Sequence, residues 1–223
     1  MNSLPKTILN NVIKSLIVLA KYLGKYREFK KRLDDYGIKV SRPNNINAFL
    51  RILNNDSSQV LDWYKSVSNT LNTKEKTFLK FCLFTGLRKS EAINSFNMII
   101  QLNSKGELSS YYDFIPNTNV KALLHIKYPK IFLRRTKNVF LSFIPESLIN
   151  EITEYDPISY STLRKHLRRH GYKCKINQFR DYFGTYLLQK GILEAEINLL
   201  QGRISPSVFI KYYWSPKLTE LRS

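Results

Sequence analysis

Arg88 follows the break Thr85-Gly86-Leu87 in FCLFTGLRKSEAI (81–93), where an apolar helix gives way to a second one. A glycine at such a break lets the chain turn sharply and holds the next side chain on a rigid corner. A guanidinium fixed there can bind phosphate oxygens two at a time. Glu91, one turn on, can hold the arginine or cap the second helix. Arg180 lies in INQFRDYFGTYLLQKG (176–191) beside an expected buried stripe of Phe179, Phe183, Tyr186 and Leu187. Lys137 stands at the tip of LRRTKNVFLSFIP (133–145), and Arg203 follows another glycine break in LLQGR. Tyr212 and Tyr213 close the series in RISPSVFIKYYWSP (203–216). Taken singly, each has an ordinary reading. A turn lysine is solvated, an arginine beside a buried face snorkels outward, and an aromatic pair packs.

The global charge points the same way as the arginines. Lys and Arg number 36 against 17 Asp and Glu, a net charge of +19, and the pI is about 9.9. A charge of that size favours a polyanionic partner, with nucleic acid first and an anionic membrane surface second. The basic residues are spread along the whole chain and do not gather on one amphipathic face. With 43% hydrophobic and 24% charged residues, the composition is that of a folded, soluble chain. No apolar run approaches the roughly 18 residues a bilayer span needs. The segment VIKSLIVLAKYLGKY carries Lys14, Lys21 and Lys25 at helical spacing and reads as an amphipathic helix. Cys82 and Cys174 lie far apart, there are three histidines (His125, His166, His170) and no CxxC. Neither a zinc site nor any other metal or cofactor is expected, and reducing cytoplasm is the natural compartment.

These side chains need elements to hold them. Ser3-Leu4-Pro5 and the apolar spacing Ile8, Val12, Leu16, Leu19, Leu23 predict a helix over about 5–23, with a second over 26–36. KVSRPNN (39–45) reads as a linker. Helical patterns return at about 46–54 and 58–70, and Asn72-Thr73-Lys74-Glu75 offers a capping box for a helix over 74–85. A short helix begins at Arg88. Residues 98–144, rich in Ile, Phe, Tyr, Thr and Val, predict short strands, with SKGEL and PNTN as turns. The clearest expected pair is a hairpin of IFLRRT with NVFLSFI, ended by Pro145 opening the helix PESLINEI. From Ser159 the pattern is helical, broken at Gly171, Gly191 and Gly202. The fold class expected is mainly α with a small antiparallel β-sheet.

The ordered set TGLRKSEA, hairpin lysine, x-x-x-Arg helix and LLQGR…KYY resembles the tyrosine recombinase, or phage integrase, family. LQGR…SVF-KYY looks most like integrases of archaeal viruses and plasmids. The resemblance covers residues 43–223. It implies the tyrosine recombinase catalytic-domain fold and a site-specific DNA recombinase that works without metal. A tyrosine hydroxyl attacks a phosphodiester, leaving a 3′-phosphotyrosine and a free 5′-hydroxyl. Fixed cations then stabilise the phosphorane. Arg88 and Arg180 match the family's two arginines, Arg203 the third donor, and Lys137 the lysine that protonates the leaving oxygen, with Arg134 and Arg135 as close competitors. The archaeal pattern, a basic residue and a His before the nucleophile, selects Tyr213, with Lys211 and Tyr212 in the preceding slots. The commoner bacterial spacing selects Tyr212 instead.

Two features depart from the pattern. Asn177 stands where the third motif has His or Lys, and an amide cannot accept a proton as those can. Residues 1–42, ending in KYREFKKRLDDYGIKV, resemble only the last part of the family's core-binding domain. The chain thus reads as a helical remnant (1–42) and a catalytic domain (43–223), from a fragment, a natural truncation or a minimal enzyme. Lys165, Arg168 and Arg169 share one face of an expected helix in YSTLRKHLRRHGYKCK (160–175), with Arg164 and Lys173 beside them. Phosphate contact is their expected role. The implied partners are double-stranded DNA and further copies of the chain, as dimer or tetramer on DNA, with no membrane. Two other readings stand beside the recombinase: an impaired or inactive DNA-binding derivative, and a nicking-closing activity like that of type IB topoisomerases.

Overall fold

The computed structural model describes residues 6–38, 58–134 and 138–203. The chain divides into two compact units, Met1–Asn55 and Asp56–Ser223. In the first unit, α1 (Lys6–Tyr22) and α2 (Tyr26–Asp35) match the two expected helices. The expected linker at 39–45 and the helix at 46–54 lie outside the described residues.

The second unit begins with α3 (Ser58–Ser68) and α4 (Thr73–Thr85). The expected capping box is formed: Asn72 Oδ1 accepts the Glu75 N–H at 2.9 Å, and Glu75 Oε2 accepts that of Asn72 at 3.4 Å. α4 is the centre of the core, with Phe78, Leu79, Phe81 and Cys82 fully buried. Phe96 meets the rings of Phe78 and Phe81 edge-on at 5.3 and 5.8 Å, an arrangement that suits the ring quadrupoles. α5 (Lys89–Ser104) is longer than the short helix expected and absorbs residues 98–104, which the β-rich composition had placed among strands. Ala92, Phe96 and Ile99 recur at helical spacing and are fully buried, so packing overrides strand propensity.

The sheet has three antiparallel strands in the order β1 (Tyr112–Phe114), β2 (Val120–Leu123) and β3 (Ser142–Pro145). β1 and β2 flank the PNTN turn, where Asn117 has φ 62°. Among the described residues the expected hairpin between IFLRRT and NVFLSFI is not formed. Its first half contributes to the helical turn α6 (Pro129–Phe132) instead, and β3 pairs with β2, with Ala122 opposite Phe143. Pro129 explains the difference, because it offers no N–H to a ladder and its fixed φ suits the first turn of a helix. Phe132, at the end of that turn, is buried.

Pro145 does open α7 (Glu146–Thr153). α8 (Tyr160–Arg169), α9 (Ile176–Gln189) and α10 (Glu194–Leu200) follow, separated at the expected glycines. α9 buries Ile176, Phe179, Arg180 and Leu187. Tyr186 is exposed and stacks on Tyr182, so the stripe is narrower than expected and Arg180 belongs to it. A sealed polar chain crosses from α5 to the sheet. Tyr111 Oη donates to Ser95 Oγ at 2.9 Å and lies 2.8 Å from His125 Nδ1, and His125 Nε2 lies 2.7 Å from Ser142 Oγ. No helix among the described residues is long and apolar enough to cross a membrane.

Candidate functional site

The corner between α4 and α5 places Arg88. Gly86 ends α4 in the left-handed conformation, φ 57°, which glycine adopts without strain. A Cβ at this position would also collide with the Phe183 ring. Arg88 then occupies the N-cap of α5, and Glu91 holds it twice: Oε2 accepts the Arg88 backbone N–H at 3.0 Å, and Oε1 accepts Nη1 at 2.8 Å. Glu91 is fully buried. A buried carboxylate is tolerable only when paired, and here Arg134 Nη2 stands 3.5 Å from the same Oε1. Arg88 Nη1 also donates to the Asn138 carbonyl at 3.3 Å.

Arg180 does not snorkel. Its side chain turns inward, where Nη1 donates to the Gly86 carbonyl at 3.1 Å and Nη2 to the Gln201 carbonyl. Both carbonyls lie at helix C-termini, of α4 and α10, where the helix dipole favours a cation. Gln201 Nε2 returns a bond to the Arg180 carbonyl at 3.0 Å, so the two residues hold each other in place. Burial, reinforced by Arg88 and Arg203, pushes the Arg180 pKa down to about 10, which leaves it charged at neutral pH. Arg203 is exposed one residue beyond Gly202, and its N–H donates to the Asn198 carbonyl at 2.6 Å. Gly202 has φ 62°, and a Cβ there would strike the Asn138 carbonyl oxygen, so only glycine lets the end of α10 close on that loop.

Arg88, Lys89, Ser90, Arg134, Asn177 and Arg180 line one cleft of about 310 Å³. Asn177 lies in the first turn of α9 and is exposed. The structure thus gathers Arg88, Asn177 and Arg180, with Arg203 near enough for its charge to act on Arg180. Lys137, Tyr212 and Tyr213 lie outside the described residues. Four of the cleft's six lining side chains are cationic, and an anion such as a phosphate suits it.

Lys89 also borders a second groove, of about 650 Å³, shared with Tyr160, Arg164, Arg168, Tyr172 and Lys173. α8 sets Arg164 and Arg168 one turn apart, while Leu163 and Leu167 are buried on its inner face. His166 Nδ1, 2.7 Å from Glu75 Oε2, ties the helix to the cap of α4. Lys89 Nζ sits 4.3 Å over the Tyr160 ring. Lys165 and Arg169 are exposed on α8 but do not line this groove. Sequence reasoning did not single out Lys89, Ser90, Tyr160 or Gln201. Lys89, Ser90 and Gln201 stand inside TGLRKSEA and LLQGR, but each of the four acts through a partner far along the chain.

The family model for archaeal phage integrases matches residues 52–219. The chain is also similar to a protein described as "Probable integrase/recombinase" from Acholeplasma phage L2, 27% identical over 215 residues, which covers 91% of this chain and 70% of that protein. No solved structure matches it. The chain belongs to the archaeal phage integrase family.

Proposed function

We propose that the chain is a tyrosine-type site-specific DNA recombinase, and that its cleft binds the phosphate to be cut. The observation that carries this reading is the pair Arg88 and Arg180. Each is fixed by helix-end or buried partners, and both line one cleft with Asn177. Guanidiniums positioned before the reaction stabilise charge that develops on a phosphorane at no reorganisation cost. In this reading Tyr213 loses its phenol proton to solvent, its Oη attacks phosphorus, the bond from phosphorus to the 5′-oxygen breaks, and Lys137 gives that oxygen a proton. The product is a 3′-phosphotyrosyl chain and a free 5′-hydroxyl, and rejoining reverses the steps. Lys137 is the residue before Asn138, whose carbonyl accepts from Arg88. Residues 43–223 form the catalytic domain of the tyrosine recombinase fold, and residues 1–42 belong to the end of a core-binding domain.

Double-stranded DNA lies across the cleft and the second groove, with Arg164, Arg168 and Lys173 on phosphates and Lys165 and Arg169 on flanking backbone. Copies of the chain associate on DNA in the host cytoplasm. Asn177 favours a second reading, an impaired or inactive DNA-binding derivative, because its amide can donate to a phosphate oxygen but cannot take the tyrosine proton. The test is a nicked suicide duplex carrying candidate attachment sequences, resolved on a denaturing gel. A covalent adduct from the wild type, lost in Tyr213→Phe and kept in Tyr212→Phe, supports the recombinase. Binding with no adduct at any site favours the derivative.

A further inference from the structure

Arg134 reaches the cleft from the connection between β2 and β3, whereas Arg88 comes from the α4–α5 corner and Arg180 from α9. Its Nη2 donates to Ser90 Oγ at 3.2 Å and stands 3.5 Å from Glu91 Oε1. Its backbone N–H donates to Asn138 Oδ1 at 2.8 Å. Asn138 in turn offers its carbonyl to Arg88. The guanidinium is therefore tethered at one nitrogen, while its side chain remains 46% exposed. A guanidinium carries five N–H donors, and among the described residues only Nη2 is engaged. The closer claim on Glu91 belongs to Arg88, at 2.8 Å, and Arg180 feels Glu91 and Asp181, so two carboxylates stand against three guanidiniums and Lys89. Such an excess of fixed positive charge is unfavourable by itself and is relieved when an anion enters.

We infer that Arg134 is a further phosphate-contacting residue of this cleft, binding a non-bridging oxygen of the scissile phosphate alongside Arg88 and Arg180. This rests on the recombinase reading. It also separates Arg134 from Lys137 in role. A guanidinium stays protonated throughout, so Arg134 neutralises charge on the phosphorane and cannot serve as the acid for the leaving oxygen. Ser90 and Glu91 set the orientation of its fork, and Asn138 sets the loop that carries it.

The test uses the full chain and single-turnover adduct formation on suicide duplexes. One duplex carries an ordinary scissile phosphodiester. The other carries a methylphosphonate there, in which a methyl group replaces the charged non-bridging oxygen. Arg134→Gln should slow adduct formation about a hundredfold on the phosphodiester and less than about threefold on the methylphosphonate. Arg134→Lys, which keeps the charge and loses the fork, should fall between wild type and Arg134→Gln on the phosphodiester. An equal loss on both duplexes would mean that Arg134 only shapes the loop, and would overturn the inference. So would wild-type rates on both. A wild type that forms no adduct on either duplex overturns the recombinase reading and this inference with it, whereas an adduct from wild type leaves that reading standing whatever Arg134 does.

Discussion

Glu91 and Ser95 sit one turn apart on α5, and both are fully buried, yet they lead to opposite kinds of polar cluster. Ser95 leads inward to Tyr111, His125 and Ser142, the residue types of nucleophilic catalysis. Each side chain in that chain is buried, and each polar atom has its partner. With Tyr111 donating to Ser95, Nδ1–H of a neutral imidazole donates to the Tyr111 oxygen, and Nε2 accepts from Ser142. Burial pushes His125 down to about 3, so the ring stays neutral. Glu91 leads instead to guanidiniums that keep their charge and open into a cleft. Residue type therefore misleads here. The sealed cluster with His, Tyr and Ser is architecture that fastens the sheet to α5, and the open one with surplus donors is where an anion can be handled.

The largest effect should come from breaking the open cluster. Arg180→Ala removes the buried guanidinium and leaves the Gly86 and Gln201 carbonyls without it. Adduct formation should fall by about 10²–10³-fold or more. The melting temperature should also drop, because buried acceptors left unmade cost about 1–3 kcal/mol each. Single-turnover rates and thermal melts on the same preparation read both. A variant that still cleaves within a few-fold of wild type would show that the cleft does not bind the scissile phosphate.

The sealed cluster should show itself in acid. His125 is held at about 3 in the fold against an ordinary value near 6.5. Between those values the unfolded chain takes up a proton that the folded chain refuses, so stability rises with pH across that window. The contribution is complete above about 6.5 and is lost as pH falls through about 3. Arg180, at about 10, keeps its charge throughout and adds no slope there. Urea unfolding at pH 7 and at pH 4.5 should show a smaller difference for His125→Gln than for wild type. An unchanged difference would mean that the imidazole is not sealed.

How much of this could be read from the residues follows the range of the forces. The helices of the first unit, the capping box of α4, the Gly86 corner and the opening of α7 at Pro145 are local, and they are found where their own neighbours specify them. The hairpin expected around 131–144 is not found among the described residues because strand pairing is a long-range choice. β3 meets β2 across eighteen intervening residues (124–141), and Pro129 diverts the nearer candidate into a helical turn. Arg88 and Arg180 were legible as cations from their motifs. The inward turn of Arg180 was not, because its acceptors are carbonyls at the ends of two helices distant in the chain. Gln201 and Ser90 stand inside quoted motifs, but their roles were not legible because their partners, Arg180 and Arg134, are distant in the chain.

The smallest effect tests the comparison from its structural side. Tyr111→Phe keeps the ring, which stacks on Phe132 and meets Tyr128 edge-on, and removes only the hydroxyl. That leaves Ser95 Oγ without its donor and His125 Nδ1–H without its acceptor. Each buried polar atom so stranded costs about 1–3 kcal/mol, so denaturant unfolding should show a loss of that order with an unchanged m-value. Adduct formation per folded molecule should stay within about twofold of wild type, since oxyanion-type stabilisation comes from donors in the cleft and Tyr111 is not among them. If the variant instead keeps its stability and loses cleavage, the hydroxyl takes part in the chemistry, and the line drawn between the two clusters on α5 is in the wrong place.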